Sequence, residues 1–134
     1  MSASPLSYTD DELRILIPRL IDEIGIPPHL KGCKYLILAI GIVIRKPDMI
    51  RGVTTGLYQT IAQSYNTTPA CVERNMRTAI KASVKSGKLM LYDSYFACAL
   101  RISGTISASC FIAILSEKLR HNLLTHPDSN GRPA

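Results

Sequence analysis

The residues of this sequence best suited to chemistry are four cations, Arg74, Arg77, Lys81 and Lys85, spaced at intervals of three and four. On an α-helix that spacing gathers side chains on one side, because each residue turns the chain by about 100°. Positive groups held in a row by a rigid rod break no bonds. They offer ion pairs and hydrogen bonds to a repeating polyanion such as nucleic acid, and arginine's planar fork adds two-point recognition of a guanine edge. On the same helix Val72, Met76, Ala79, Ile80 and Ser83 would form the opposite, apolar side that seats it.

Other residue types support no second chemistry. The four cysteines, Cys33, Cys71, Cys98 and Cys110, form no CxxC pair, which suits isolated thiols in a reducing cytosol better than a zinc site or a disulfide framework. His29, His121 and His126 stand apart from any carboxylate or histidine at ligand or triad spacing. With no paired carboxylates and no glycine-rich phosphate cradle either, the sequence is not that of an enzyme, and no cofactor or metal is expected. The N-terminus lacks the pattern of a secretory signal. The longest apolar run, Tyr35 to Ile44, is about half the roughly 20 residues a membrane-spanning helix needs. The expected location is cytoplasmic, with no membrane partner.

Charge is unevenly placed along the 134 residues. The net charge of +6 comes almost wholly from residues 51–92, where six Lys/Arg face Glu73 alone; residues 1–50 are neutral and residues 93–134 carry +1. A field localised to the same third of the chain as the four cations fits a polyanionic partner.

Several helices must position that segment. Thr9 with Glu12 has capping-box form, and Asp10 and Asp11 favour the positive end of a helix starting at Asp10. Its buried face would be Leu13, Leu16, Ile17, Leu20, Ile21 and Ile24, ending at Gly25; Pro18 predicts a kink or a later start. A second helix over Lys31 to Arg45 is apolar nearly all round, hence central, and Lys46-Pro47 closes it. A third, from Val53 to Ser64, leads into the turn Tyr65-Asn66-Thr67, and Thr68-Pro69 starts a fourth that runs to Ser86 with Gly87 beyond its end. Between Lys88 and Thr105 the pattern predicts a short helix and then a loop. A last helix after Ser107 buries Phe111, Ile112, Leu115, Leu119 and Leu123. The whole reads as one all-α domain of residues 1–134, ordered over about 9–124, with flexible ends at 1–8 and 125–134.

The segment from Ile61 to Arg77 has helix-turn-helix form: Ala62 lets two helices cross closely, Asn66 turns the chain, and Val72 locks the second helix onto the first. Arginines near the start of such a helix reach base edges, and later lysines meet phosphates. Glu73 has two open uses, accepting from a cytosine amine or pairing with Arg77 one turn on.

These residues resemble a known family. Gly25-Ile26-Pro27-Pro28-His29-Leu30-Lys31-Gly32, Lys34-Tyr35-Leu36, Val53-Thr54, Leu57-Tyr58, Ile61-Ala62, Tyr65-Asn66-Thr67-Thr68, Val72-Glu73-Arg74, Met76-Arg77, Phe111-Ile112-Ala113 and Lys118-Leu119-Arg120 are similar, in order, to the C-terminal effector domain of the stage-zero sporulation response regulator of endospore-forming bacteria. The resemblance implies about six helices containing a helix-turn-helix. It implies binding to a short box of double-stranded DNA, as tandem copies or a homodimer, and regulation of transcription through RNA polymerase. Glu73, Arg74 and Arg77 match the family's reading helix. Thr68, Cys71, Thr78, Lys81 and Lys85 complete the candidate DNA surface, with Cys71 where the family has Arg and Thr78 where it has His. Phe96 matches an aromatic position near the family's polymerase-contacting surface. A chain of 134 residues leaves no room for the family's phosphoacceptor domain of roughly 120 residues, so control by a partner or constitutive activity is expected.

Two readings follow: a sequence-specific DNA-binding regulator using the helix from 69 to 86, or a protein-interaction module that modulates a related regulator or RNA polymerase with weakened DNA readout. The substitutions at Cys71 and Thr78 favour the second; the cationic face favours the first.

Overall fold

Residues 9–52 and 56–125 are described by the computed structural model, their side chains as far as His121. They form seven α-helices and a short 3-10 turn, and no strand occurs among the described residues. The expected mobile ends and the expected helix start at Val53 lie outside the described residues, apart from Thr125, which closes the last helix.

Helix α1 spans Asp10–Glu23 and begins where the capping box places it: the Glu12 amide donates to Thr9 Oγ1 at 3.2 Å and the Thr9 amide to Glu12 Oε1 at 2.8 Å. The helix carries through Pro18 instead of starting nearer to it. Both of its halves bury apolar groups, Leu13 and Ile17 before the proline and Leu20 and Ile21 after it. Each buried side chain of this kind contributes about 1.5 to 3 kcal/mol, together more than the roughly 3 kcal/mol that an interior proline costs. Gly25, at φ 86°, then reverses the chain.

Helix α2, Lys31–Arg45, is the central strut. It packs against α1, against α3 (Leu57–Ser64), against α4 (Pro69–Ser86) and against α7 (Ala108–Thr125). That position explains why its sequence is apolar nearly all round: Leu36, Ala39, Ile40, Val43 and Ile44 are buried. Gly32 is the point of closest approach, where an added Cβ would lie 2.1 Å from the backbone oxygen of Asn75 on α4. At the other end Arg120 of α7 donates to the carbonyls of Val43 and Ile44 at 2.8 and 2.7 Å, satisfying two of the acceptors that every helix C-terminus leaves open.

The region after α4 holds two helices, not the expected helix and loop. Gly87, at φ 80°, joins α4 to α5 (Lys88–Tyr92), and Asp93 caps α6 (Ser94–Ser103) by accepting from the Tyr95 amide at 2.6 Å. Gly104, at φ 78°, ends α6. The periodic signal is weak here because α6 buries fully only Phe96, against Phe111 with ring centroids 5.8 Å apart. Phe96 is 0% exposed, so the expectation that it meets a partner fails on its position in the core.

Candidate nucleic-acid interface

Helices α3 and α4 with the turn between them build the helix-turn-helix. The Tyr65 amide donates to Ile61 O at 3.1 Å and the Thr67 amide to Ala62 O at 2.9 Å, closing α3 around Asn66. Asn66 has a φ of 55°. That is the left-handed conformation, which an asparagine tolerates better than most residues. Tyr65 packs edge-on against Tyr35 of α2, centroids 5.1 Å apart, which fixes the turn to the central strut.

Thr68 starts α4 as an N-cap, its Oγ1 accepting from the Cys71 amide at 3.2 Å. Pro69 follows at the first helical position, where its missing amide hydrogen costs nothing. Val72, Met76, Ala79, Ile80 and Ser83 form the buried back, as the periodicity predicts. The one polar member, Ser83, is satisfied by donating its hydroxyl to the Ile24 carbonyl. With the back held, the front is left to solvent: Arg74, Thr78, Lys81 and Lys85 are exposed on one face. Thr78 directs its hydroxyl onto the Arg74 carbonyl at 3.1 Å, so its hydrogen goes to the helix itself.

The flanks of α4 differ. On one flank Glu73 and Arg77 form an ion pair, and Glu73 lies near the buried Tyr58, whose hydroxyl is pushed up to about 12 by burial first and by the Glu73 charge second. Tyr58, Pro69, Ala70 and Glu73 line an open cleft of about 440 Å³ together with Ser107, Ala108 and Ser109 at the start of α7. On the other flank Asn75 turns its amide back, donating to Cys71 O at 2.8 Å and to Cys71 Sγ at 3.3 Å. The Cys71 thiol is shifted downward, chiefly by a hydrogen bond from Thr67, with the positive charges of Arg74 and Lys31 adding to it against the effect of burial.

The structure therefore brings Cys71, Arg74, Thr78, Lys81 and Lys85 to one surface, with Arg77 at its edge and Thr68 occupied as a cap. It also brings the first turn of α2 against α4 at Gly32 and Asn75, so that the Lys31 charge reaches Cys71, a relation that no local spacing reveals. Among the described residues, no three His, Cys, Asp or Glu side chains are grouped to hold a metal ion, and the four cysteines are free.

An exposed cationic front, an apolar seated back and a tight turn into a preceding short helix together suit insertion into the major groove, which admits one helix. In the comparison with known families, the model described as sporulation initiation factor Spo0A C terminal matches residues 17–119. The match covers α2 to α6 entirely and parts of α1 and α7.

Proposed function

The chain belongs to the Spo0A C-terminal family, a family of DNA-binding effector domains of a sporulation regulator and not of enzymes, and from that premise we propose that it is a sequence-specific regulator of transcription that reads the major groove with α4. The observation that carries the reading is the face of α4 itself: an 18-residue helix whose buried back leaves Arg74, Lys81 and Lys85 pointing out together. Arg74 makes no carboxylate ion pair among the described residues, so its fork remains available to a guanine edge. Lys81 and Lys85, farther along, meet phosphates. Arg77, held by Glu73, stands at the rim and contributes charge and orientation more than a base contact. Binding takes place in the cytoplasm, on boxes occupied by tandem copies or a homodimer; among the described residues no helix is long and apolar enough to cross a membrane.

Gel-shift titration of wild type and Arg74→Ala on a preferred box and its single-base variants tests the reading. The substitution is expected to cost about 1 to 3 kcal/mol on the preferred box and to relax discrimination at one base pair. An equal loss on every duplex would contradict the role given to Arg74.

A second contact, with RNA polymerase or a related regulator, is favoured by one feature. Leu91 is 88% exposed on α5, and Tyr95 and Ile102 are exposed on α6, large apolar side chains left to solvent outside α4. Purified RNA polymerase should bind the wild-type chain on DNA and bind Leu91→Ser less tightly with DNA affinity unchanged; equal binding of both would remove this contact.

A further inference from the structure

The major groove is about 12 Å wide and a helix with its side chains is about 10 to 12 Å across, so groups beside a reading helix are also placed to meet the bordering phosphate strands. One border of α4 is the first turn of α2. Gly32 brings that turn against the backbone of Asn75, and the next residue outward, Lys31, is exposed. The positive charges of Arg74 and, less strongly, Lys31 both reach the Cys71 thiol, in keeping with the contact that Gly32 makes with Asn75 one turn along α4. Lys31 has no ion pair among the described residues. The first turn of α2 holds no acidic residue and its N-cap, Leu30, makes no side-chain hydrogen bond, whereas α1 begins with a capping box and three acids. A lysine at the positive end of a helix is electrostatically unfavourable, and an anion placed there reverses the sign.

We infer that Lys31, on a helix outside the helix-turn-helix, is a phosphate contact that clamps the DNA strand bordering the Cys71 flank of α4. The inference rests on the reading of α4 as the DNA-reading helix and adds a contact residue to that interface. Its role is positional: Lys31 sets how α4 lies in the groove and carries no base preference of its own.

The experiment is a salt titration of DNA affinity for the full chain, on the preferred box and on random duplex. Wild type, Lys31→Ala, Lys31→Gln, Lys31→Arg, Lys46→Ala and Arg74→Ala are compared, with folding checked by circular dichroism. For Lys31→Ala and Lys31→Gln the slope of log affinity against log salt should fall by about 1, with binding weakened evenly across sequences. Lys31→Arg should keep the wild-type slope. Lys46 is an exposed cation at the far end of α2, the whole length of that helix away from Lys31, and its loss should leave the slope unchanged. If wild type selects a box and Arg74→Ala relaxes it, while the Lys31 variants keep the full slope or Lys46→Ala lowers it equally, the clamp is overturned and the reading of α4 stands. If wild type prefers no duplex over another, the reading of α4 falls and takes the clamp with it.

Discussion

Arg74 and Arg77 lie three residues apart on α4 and meet different neighbours. The i,i+4 spacing of Glu73 and Arg77 permits either a base contact or a mutual pair, and the structure forms the pair. An exposed helix pair of this kind contributes only about 0.3 to 0.5 kcal/mol, so it orients Arg77 more than it stabilises the fold. The outward cations were legible because helical periodicity alone decides which side of α4 they occupy. Phe96 was not, because its burial depends on Phe111, a contact across fifteen residues of chain that no local pattern reports. Asp93 carries a prediction at this scale. Its carboxylate caps α6 and pairs with Lys118 Nζ at 2.5 Å, with its side chain only 12% exposed. Lys118's hydrogen bond, helped by the Tyr95 amide and opposed by burial, holds the Asp93 carboxyl below the usual carboxylate range. The folded-state value thus lies below the unfolded one. The stability it contributes is present above the unfolded value of about 3.9 and is lost as pH falls through the lower folded value. Asp93→Asn should melt lower than wild type at neutral pH, by on the order of 1 kcal/mol, and the gap should close in acid; thermal melts across that range decide it. Equal melting of the two proteins at neutral pH would leave Asp93 a capping role alone, which asparagine also fills.

At the scale of helices, α1 and α4 begin and α2 and α4 end where their caps and prolines place them, since each boundary is written within a few residues: Thr9 with Glu12, Lys46-Pro47, Thr68-Pro69, Gly87. The pair α5 and α6 was half legible. Asp93 and Gly104 are ordinary cap residues, but with one fully buried side chain between them the apolar period is too thin to mark a helix. Pro18 misled for the opposite reason, because burial on both of its sides outweighs a local penalty. The glycines of α2 separate two effects that sequence alone runs together. Replacing glycine by alanine inside a helix gains roughly 0.5 to 1 kcal/mol of helix propensity. Gly41 has room, its nearest neighbours standing 3.7 Å from an added Cβ, and Gly41→Ala should raise the melting temperature. Gly32 has backbone at 2.1 Å from that position, so Gly32→Ala must push α2 from α4. The net cost should be about 1 to 3 kcal/mol, as for other overpacked contacts. Paired melts of the two variants check this; equal shifts of the same sign would contradict the close approach of α2 to α4.

In the whole molecule, the order of helices could be read from the sequence but their arrangement could not. The apolar circumference of α2 announced a central position without saying that its first turn would meet α4 and its last turn α7. For that reason the cationic front was visible as a property of residues 74 to 85, while Lys31 joined it only through the fold. Charge follows the same division: the excess of residues 51–92 is carried largely by α4, and the acids of residues 1–50 lie mostly on α1, which packs on α2. A positive field concentrated around one exposed helix attracts DNA from solution, and base-edge contacts from that helix then choose the sequence. Selection from a randomised duplex pool at one fixed salt concentration, run in parallel on wild type and Arg74→Ala, is the most direct measurement. Wild type should enrich a single box bound about 10³-fold or more above random duplex, and the variant should enrich the same box with one position left degenerate. Enrichment of no box by the wild-type chain, or of an identical box by both proteins, would contradict the assignment of α4 as the reading helix.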